Sequence, residues 1–267
     1  MNESAKINKL RSLLRGFDGL LVAFSGGVDS TLLLRVAQEE LGKRVLAVTL
    51  SSPLHTPAEL AEARRLAAEI GAQHRIVIHN LLDEPNVANN PPDRCYHCKL
   101  RIMGELVKLA EVEGFAAVAD GSNASDDAGD RPGLRALGEL GIRSPLREAG
   151  LTKAEIRSLA RELGLPNWNK SARPCLATRF PFGEALDQKR LERVDRAEEY
   201  LRGILPEPLR VRSHGEIARI ELGPPAMPLL LEHRQQIVEQ LKKLSFHYVT
   251  VDLDGFRSGS MKPAEQP

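Results

Sequence analysis

Three groups of residues have types and spacings that can do chemistry. The first is Ala23-Phe24-Ser25-Gly26-Gly27-Val28-Asp29-Ser30, with two glycines, two hydroxyls and one carboxylate. Glycines let a backbone approach a ligand closely, and unpaired N–H groups at a helix start attract an anion. The loop lacks the lysine of G-x-x-x-x-G-K-[ST]. Asp29 would repel a phosphate unless a cation bridges the two, and Mg2+ is the usual bridge. Otherwise Asp29 complements a helix dipole and the serines cap. The second group is Cys95-x-x-Cys98 with Cys175. C-x-x-C spacing can chelate one metal or cluster. A complete tetrahedral zinc set would also need His97 or Cys175, whereas three thiolates leave one iron of a [4Fe-4S] cluster open to an extra sulfide. Spacing leaves the cluster, zinc, a redox pair and thiols packed as small hydrophobes all open. The third group is Arg179, close to Cys175 in sequence, with Arg210 and Arg212. The last two alternate onto one strand face, as a phosphate clamp requires. A surface ion pair or a solvated strand face is the plainer reading of each arginine. Glu198 reads as a solvated helix face before it reads as a metal ligand.

The elements around the first loop decide its use. Gly19 to Phe24 is an apolar run suited to a strand buried on both faces. Leu33, Val36, Ala37 and Leu41 recur at helical spacing up to Gly42, a natural C-cap. The loop therefore runs from strand to helix, which favours nucleotide binding. Residues 4–16 predict an amphipathic helix, residues 44–50 a second buried strand and residues 74–78 a third strand. Between those strands Thr56-Pro57-Ala58-Glu59 forms a capping box with proline at the first helical position. Such alternation predicts a parallel sheet covered by helices, with ligands beyond the carboxyl ends of the strands. Thr49 and Leu50 are placed there to hold adenine or ribose. A fourth strand, 115–119, is expected beside the first, bringing Gly121 and Asn123 to the nucleotide. Residues 81–98 read as a polar loop, with a helix from about 99 to 113. Residues 124–141 read as a mobile loop with a short helix, and Thr152 to Glu155 as a second capping box. From about 184 a charged helix, two strands, a helix over about 227–244 and a last strand predict a small α+β domain. The expected division is 1–183, 184–257 and a disordered tail, 258–267.

Composition narrows the function. The chain has 267 residues, 42% hydrophobic, and a formal net charge of +1. Residues 1–180 hold 24 Lys+Arg against 22 Asp+Glu, and residues 181–267 hold 13 against 14. No half offers the basic field of a nucleic-acid binder. No run is long enough to span a bilayer, and the polar start is unlike a signal peptide. A cytoplasmic protein is expected, in which three cysteines stay reduced.

The SGGVDS loop resembles that of the PP-loop ATP pyrophosphatases, which cleave ATP between its α- and β-phosphates. With it, GSNASDDAGDRPG, SPLREAGLTKAEIRSLARELGLP and above all KSARPCLATRFPFG resemble the LarE family over residues 5 to 255. LarE proteins are ATP-dependent sulfur transferases of nickel-pincer cofactor synthesis. The resemblance implies an α/β fold, a Rossmann-like PP-loop domain with a parallel sheet flanked by helices and a smaller C-terminal α+β domain. It implies ATP and Mg2+ at Ala23, Phe24, Ser25, Gly26, Gly27, Asp29 and Ser30, the metal on Asp29. The implied substrate is a pyridinium-3,5-dicarboxylate mononucleotide, its phosphate on Arg210 and Arg212 and a carboxylate on Arg179. One group in the family sacrifices the sulfur of the cysteine matching Cys175, leaving dehydroalanine. Another adds the C-x-x-C pair and uses an iron–sulfur cluster, so Cys95, Cys98 and Cys175 imply a [4Fe-4S] cluster here. A sulfur donor and self-association are expected partners, with no nucleic acid and no membrane. The competing functions are a tRNA thiolase, an adenylating amide-forming ligase and a nucleotide sensor without chemistry.

Overall fold

The computed structural model describes residues 3–126, 132–171, 173–257 and 259–261. They form two units, residues 1–80 with 93–172 and residues 81–92 with 173–267. The division thus falls at 172/173, where 183/184 was expected, and a short excursion of the first half of the chain belongs to the second unit.

The first unit begins with helix α1 (Glu3–Arg15), strand β1 (Leu20–Ala23) and helix α2 (Val28–Leu41). Strand β2 (Val45–Ser51), helix α3 (Pro57–Ile70) and strand β3 (Gln73–Ile78) follow. The chain then makes the short helix α4 (Pro85–Ala88) in the second unit before returning as α5 (Arg94–Glu113) and β4 (Ala117–Ala119). Helices α6 (Pro132–Glu139), α7 (Pro145–Glu148) and α8 (Lys153–Glu162) complete the unit. All four strands are parallel, in the order β3-β2-β1-β4. Strand period two sorts the apolar residues onto two faces. Leu20, Val22, Val45 and Ala47 pack with residues of α1, α2, α3 and α8. Leu21, Leu46, Val48 and Val118 pack with residues of α5 and α6. Both faces are covered at β1 and β2, which is why these read as unbroken apolar runs, whereas the edge strand β3 has no buried residue.

Both capping boxes form, at Thr56–Glu59 and Thr152–Glu155. The second is also a long-range tie, because Lys6 Nζ lies 2.7 and 2.8 Å from the two Glu155 oxygens. Lys6 and the Thr152 donors hold the Glu155 carboxyl at about 2, against an ordinary 4.5. A depressed carboxyl contributes stability above its unfolded value and loses it as pH falls through the folded one. The melting temperature is therefore expected to fall between about pH 4.5 and pH 2. Glu155→Gln should lower it at pH 7 and flatten that acid limb. An unchanged acid limb would leave Lys6–Glu155 without a share in stability.

The second unit contains α9 (Gln188–Arg202), β5 (Leu209–His214), β6 (Ile217–Leu222), α10 (Met227–Glu232), α11 (Arg234–Lys243) and β7 (Tyr248–Val251). β5 pairs antiparallel and β7 parallel with β6. The small α+β architecture is as expected, except that the helix over 227–244 is two helices, divided at His233. Residues 81–98 are not one loop. A 3-10 turn (Leu81–Asp83) and α4 occupy part of it, and α5 starts at Arg94. Polarity suggested a loop, but Pro85 opens a short helix and polar residues suit the first turn of α5. Residues 127–131, 172, 258 and 262–267 lie outside the described residues, and with them parts of the expected mobile loop and tail. Among the described residues no helix is long and apolar enough to cross a membrane.

Candidate active site

The order β3-β2-β1-β4 reverses direction between β1 and β4, and open parallel sheets bind ligands in that crevice. The loop after β1 and the segment after β4 meet there. Gly26 has φ +70°, and a Cβ on it would sit 3.3 Å from the Ala63 backbone of α3. Only glycine meets both conditions. A Cβ on Gly121 would lie 3.0 Å from the Ser30 amide nitrogen. Gly121→Ala is thus expected to displace the first turn of α2 and raise the KM for ATP. An unchanged KM would show that the turn yields without cost.

The hydroxyls shape the loop from within. Ser25 Oγ accepts from the Gly27 N–H at 3.3 Å, and Ser30 Oγ donates to the Gly27 carbonyl at 3.1 Å. Ser30 is buried, while Ser25 is exposed at the loop surface. Asp29, in the first turn of α2, accepts from Asn123 Nδ2 at 3.3 Å and pairs with Lys153. A carboxylate oxygen is the kind of ligand Mg2+ takes, and Lys153 holds Oδ2 of Asp29 in this structure. Asn123 is held in turn by Asp126 Oδ2, 2.9 Å from its N–H. It thus stands beside the loop after β1, as expected, and in contact with Asp29. The buried Asp120 accepts from Ser122 Oγ at 2.6 Å and Ser144 Oγ at 2.7 Å, with Lys99 Nζ 3.5 Å away.

Thr49 is also engaged. Its hydroxyl donates to the Phe24 carbonyl at 2.6 Å and lies 2.8 Å from His74 Nε2. With its one proton on Phe24, Thr49 must accept from His74, which fixes the Nε2–H form of that ring. Burial, and then Arg64, lowers the His74 pKa below 6.5. Thr49 and the buried Leu50 thus sit at the expected strand end, but the Thr49 hydroxyl braces the loop.

Lys153 was missed, though its position carried a signal. It opens α8, where a helix dipole disfavours a cation, so a lysine there asks for an anion. Asn167 was missed too. Its amide nitrogen donates to the Gly26 carbonyl and to Thr31 Oγ1, each at 3.0 Å. It lies 141 residues from the loop it touches, and no local pattern announces that.

Cys95 and Cys98 lie in the first two turns of α5, on a helix and not in a loop. A spacing of three on a helix puts both on one face. Cys175 belongs to the second unit, at the start of a 3-10 turn (Leu176–Arg179). None of the three is in a disulfide. Among the described residues no three His, Cys, Asp or Glu side chains are gathered for a metal ion. Thiols are the donors that an iron–sulfur cluster takes, and these three come from two different units of the chain.

The three arginines are buried and paired, neither on the surface nor solvated. Arg179 is 2% exposed and forks onto Glu198 at 2.8 and 3.0 Å. Its Nη1 donates to the Pro174 carbonyl at 2.7 Å and the Cys175 carbonyl at 3.3 Å, fixing the turn that carries Cys175. Glu198 is therefore no solvated residue. It is fully buried and also takes Arg202 at 2.6 Å and the Val211 N–H at 3.0 Å. Burial would raise the Glu198 carboxyl, but Arg179, the Val211 N–H and Arg202 outweigh it and hold it low. Arg212 forks onto the buried Glu221 at 2.9 and 2.7 Å and donates to the Thr178 carbonyl. Arg210 lies 3.3 Å from Glu207, and burial, then the charge of Arg179, lowers its pKa. Charged α9 seemed a solvated helix because its sequence does not show which face meets β5.

The asparagine synthase family model matches residues 10–104, the loop and the first strands. Over 253 residues the chain is 42% identical to the pyridinium-3,5-bisthiocarboxylic acid mononucleotide synthase of Lactiplantibacillus plantarum, covering 94% of this chain and 92% of that one. The chain belongs to that synthase's family, the LarE family. A Synechocystis protein of undescribed activity is 42% identical over 96% of this chain and 97% of its own. An argininosuccinate synthase of Trichodesmium erythraeum is 26% identical over 65% of this chain and 47% of its own. As a LarE protein the chain is an enzyme, built on an ATP-using PP-loop domain with a small second sheet.

Proposed function

We propose that this LarE enzyme adenylates the carboxylates of a pyridinium-3,5-dicarboxylate mononucleotide and converts them to thiocarboxylates. The observation that carries the reading is an SGGVDS loop that runs into the N-terminus of α2 with Asp29 in its first turn, in a chain 42% identical to a bisthiocarboxylate mononucleotide synthase. Oxide is a poor leaving group, so the carboxylate must be activated. A carboxylate oxygen attacks the α-phosphorus of ATP, the α–β bridge breaks, and pyrophosphate leaves. Loop N–H groups at the start of α2 stabilise the charge that develops on it. Asp29 would hold Mg2+, which neutralises that charge, and Lys153 keeps the carboxylate oriented. A sulfide equivalent then attacks the acyl carbon and expels AMP.

The second unit supplies the acid-binding half. Among the described residues Arg173, Arg179, Arg202 and Arg210 pair with Glu198 and Glu207. The buried guanidinium groups of Arg179 and Arg210 suit an anionic substrate. Arg210 and Arg212 take the substrate phosphate in this reading, and Arg179 a carboxylate, while it also holds the Cys175 turn. Cys95, Cys98 and Cys175 would ligate a [4Fe-4S] cluster, which would supply an iron site able to carry sulfide. The sulfur donor and the homo-oligomer complete the proposal.

Incubating the anaerobically purified protein with ATP, Mg2+, the dicarboxylate mononucleotide and inorganic sulfide tests the reading. AMP, pyrophosphate and a substrate about 16 Da heavier per sulfur are expected, from the exchange of one oxygen for one sulfur. Pyrophosphate without sulfur incorporation when ammonia is supplied, with an amide product, would favour the ligase. Arg212→Ala should weaken substrate binding by about 1.5–3 kcal/mol while the KM for ATP stays at its wild-type value. An unchanged substrate KM returns Arg212 to a purely structural pair with Glu221.

A further inference from the structure

A loop that binds an anion must direct its N–H groups at the ligand and its carbonyls elsewhere. Three loop carbonyls are tied to protein donors. Phe24 is held by Thr49, Gly27 by Ser30 Oγ and the Thr31 N–H, and Gly26 by Asn167. The first two restraints come from the sheet and from α2 itself. The third comes from a turn beyond α8.

We infer that Asn167 is a positioning residue for pyrophosphate, its side-chain amide holding Gly26 so that the loop N–H groups stay directed at the departing phosphates. Gly26 is the loop residue most in need of an external restraint. It has φ +70°, a region that glycine leaves readily, and its carbonyl can only accept. The amide nitrogen of Asn167 must therefore be the atom facing it. That nitrogen spans the loop, with one proton on Gly26 and the other on Thr31 in the first turn of α2. Asn167 is 4% exposed, and its Oδ1 is buried without a hydrogen-bond partner among the described residues. An amide whose acceptor is left unmet is placed for its donors. The turn that carries it is braced: Lys170 N–H donates to the Asn167 carbonyl at 3.1 Å, and Lys170 pairs with Glu62. Glu62 adjoins Ala63, the residue that underlies Gly26.

The inference rests on reading the loop as the pyrophosphate cradle. Calorimetric titration of the full chain with Mg2+-pyrophosphate, and separately with AMP, tests both. Asn167→Ala should weaken pyrophosphate about tenfold and AMP by less than about twofold, the loss of one buried donor group. Asn167→Asp has nearly the same shape but no donor, and its charge would repel the Gly26 carbonyl that the amide now holds, so it should weaken pyrophosphate further. A purely structural asparagine would lower the melting temperature and affect the two ligands alike. Pyrophosphate affinity equal to wild type in either folded variant overturns the role of Asn167. If wild-type protein itself does not bind Mg2+-pyrophosphate, the reading of the loop falls and the inference with it.

Discussion

Asp29→Asn is expected to abolish formation of AMP and pyrophosphate while leaving the melting temperature close to wild type. The two halves of that result have different causes. Asn keeps the size and the hydrogen-bonding shape of Asp29, so Asn123 retains an acceptor oxygen at the same place. The lost ion pair with Lys153 is partly exposed on both sides, and such pairs contribute about 0–1 kcal/mol. Chemistry is hit much harder. Pyrophosphate leaves with charge that a bound metal must neutralise, and an amide oxygen is a weak Mg2+ ligand. Losing several kcal/mol of transition-state stabilisation slows the reaction by about a thousandfold or more. The measurement is AMP and pyrophosphate release at saturating ATP, beside a thermal melt. A variant that keeps a tenth of wild-type activity would remove Asp29 from the metal site, whereas ADP and phosphate as products would reject α–β cleavage.

The second large effect concerns the cysteines. Replacing any one of Cys95, Cys98 and Cys175 by alanine is expected to remove most bound iron and most sulfur transfer, with adenylation intact. Three thiolates that ligate one cluster lose it together, so the effects cannot add. Adenylation persists because it depends on the loop after β1 and not on thiols. A sacrificial enzyme gives the opposite pattern. Only Cys175→Ala would then be inactive, and turnover would leave Cys175 about 34 Da lighter, as a thiol is lost to dehydroalanine. Zinc would give colourless protein with metal and no iron. Iron counts, an absorption spectrum and intact mass on the same anaerobic preparations separate the three. Full sulfur transfer in the Cys95→Ala/Cys98→Ala protein would reject the cluster mechanism.

Local physics was legible in the residues. The apolar runs at 20–23 and 45–51, both capping boxes and the glycine-rich turn of the loop depend on neighbours within a few positions. So did the parallel sheet, because short strand–helix–strand links leave few other arrangements. The family, too, was carried by contiguous motifs, SGGVDS and KSARPCLATRFPFG. What only the tertiary structure decided is which partner each polar side chain has, since a hydrogen bond between distant residues leaves no period in the sequence. Thr49 and Asn123 lie at the strand ends as their positions suggest, but only the fold shows that they also reach Phe24 and Asp29. Glu198 looked solvated until β5 and Arg179 closed over it. Lys153 and Asn167 reach the loop from 124 and 141 residues away. Spacing says which residue types are available, but only packing removes water from a side chain and so determines whether its charge or donor must find a partner inside the protein.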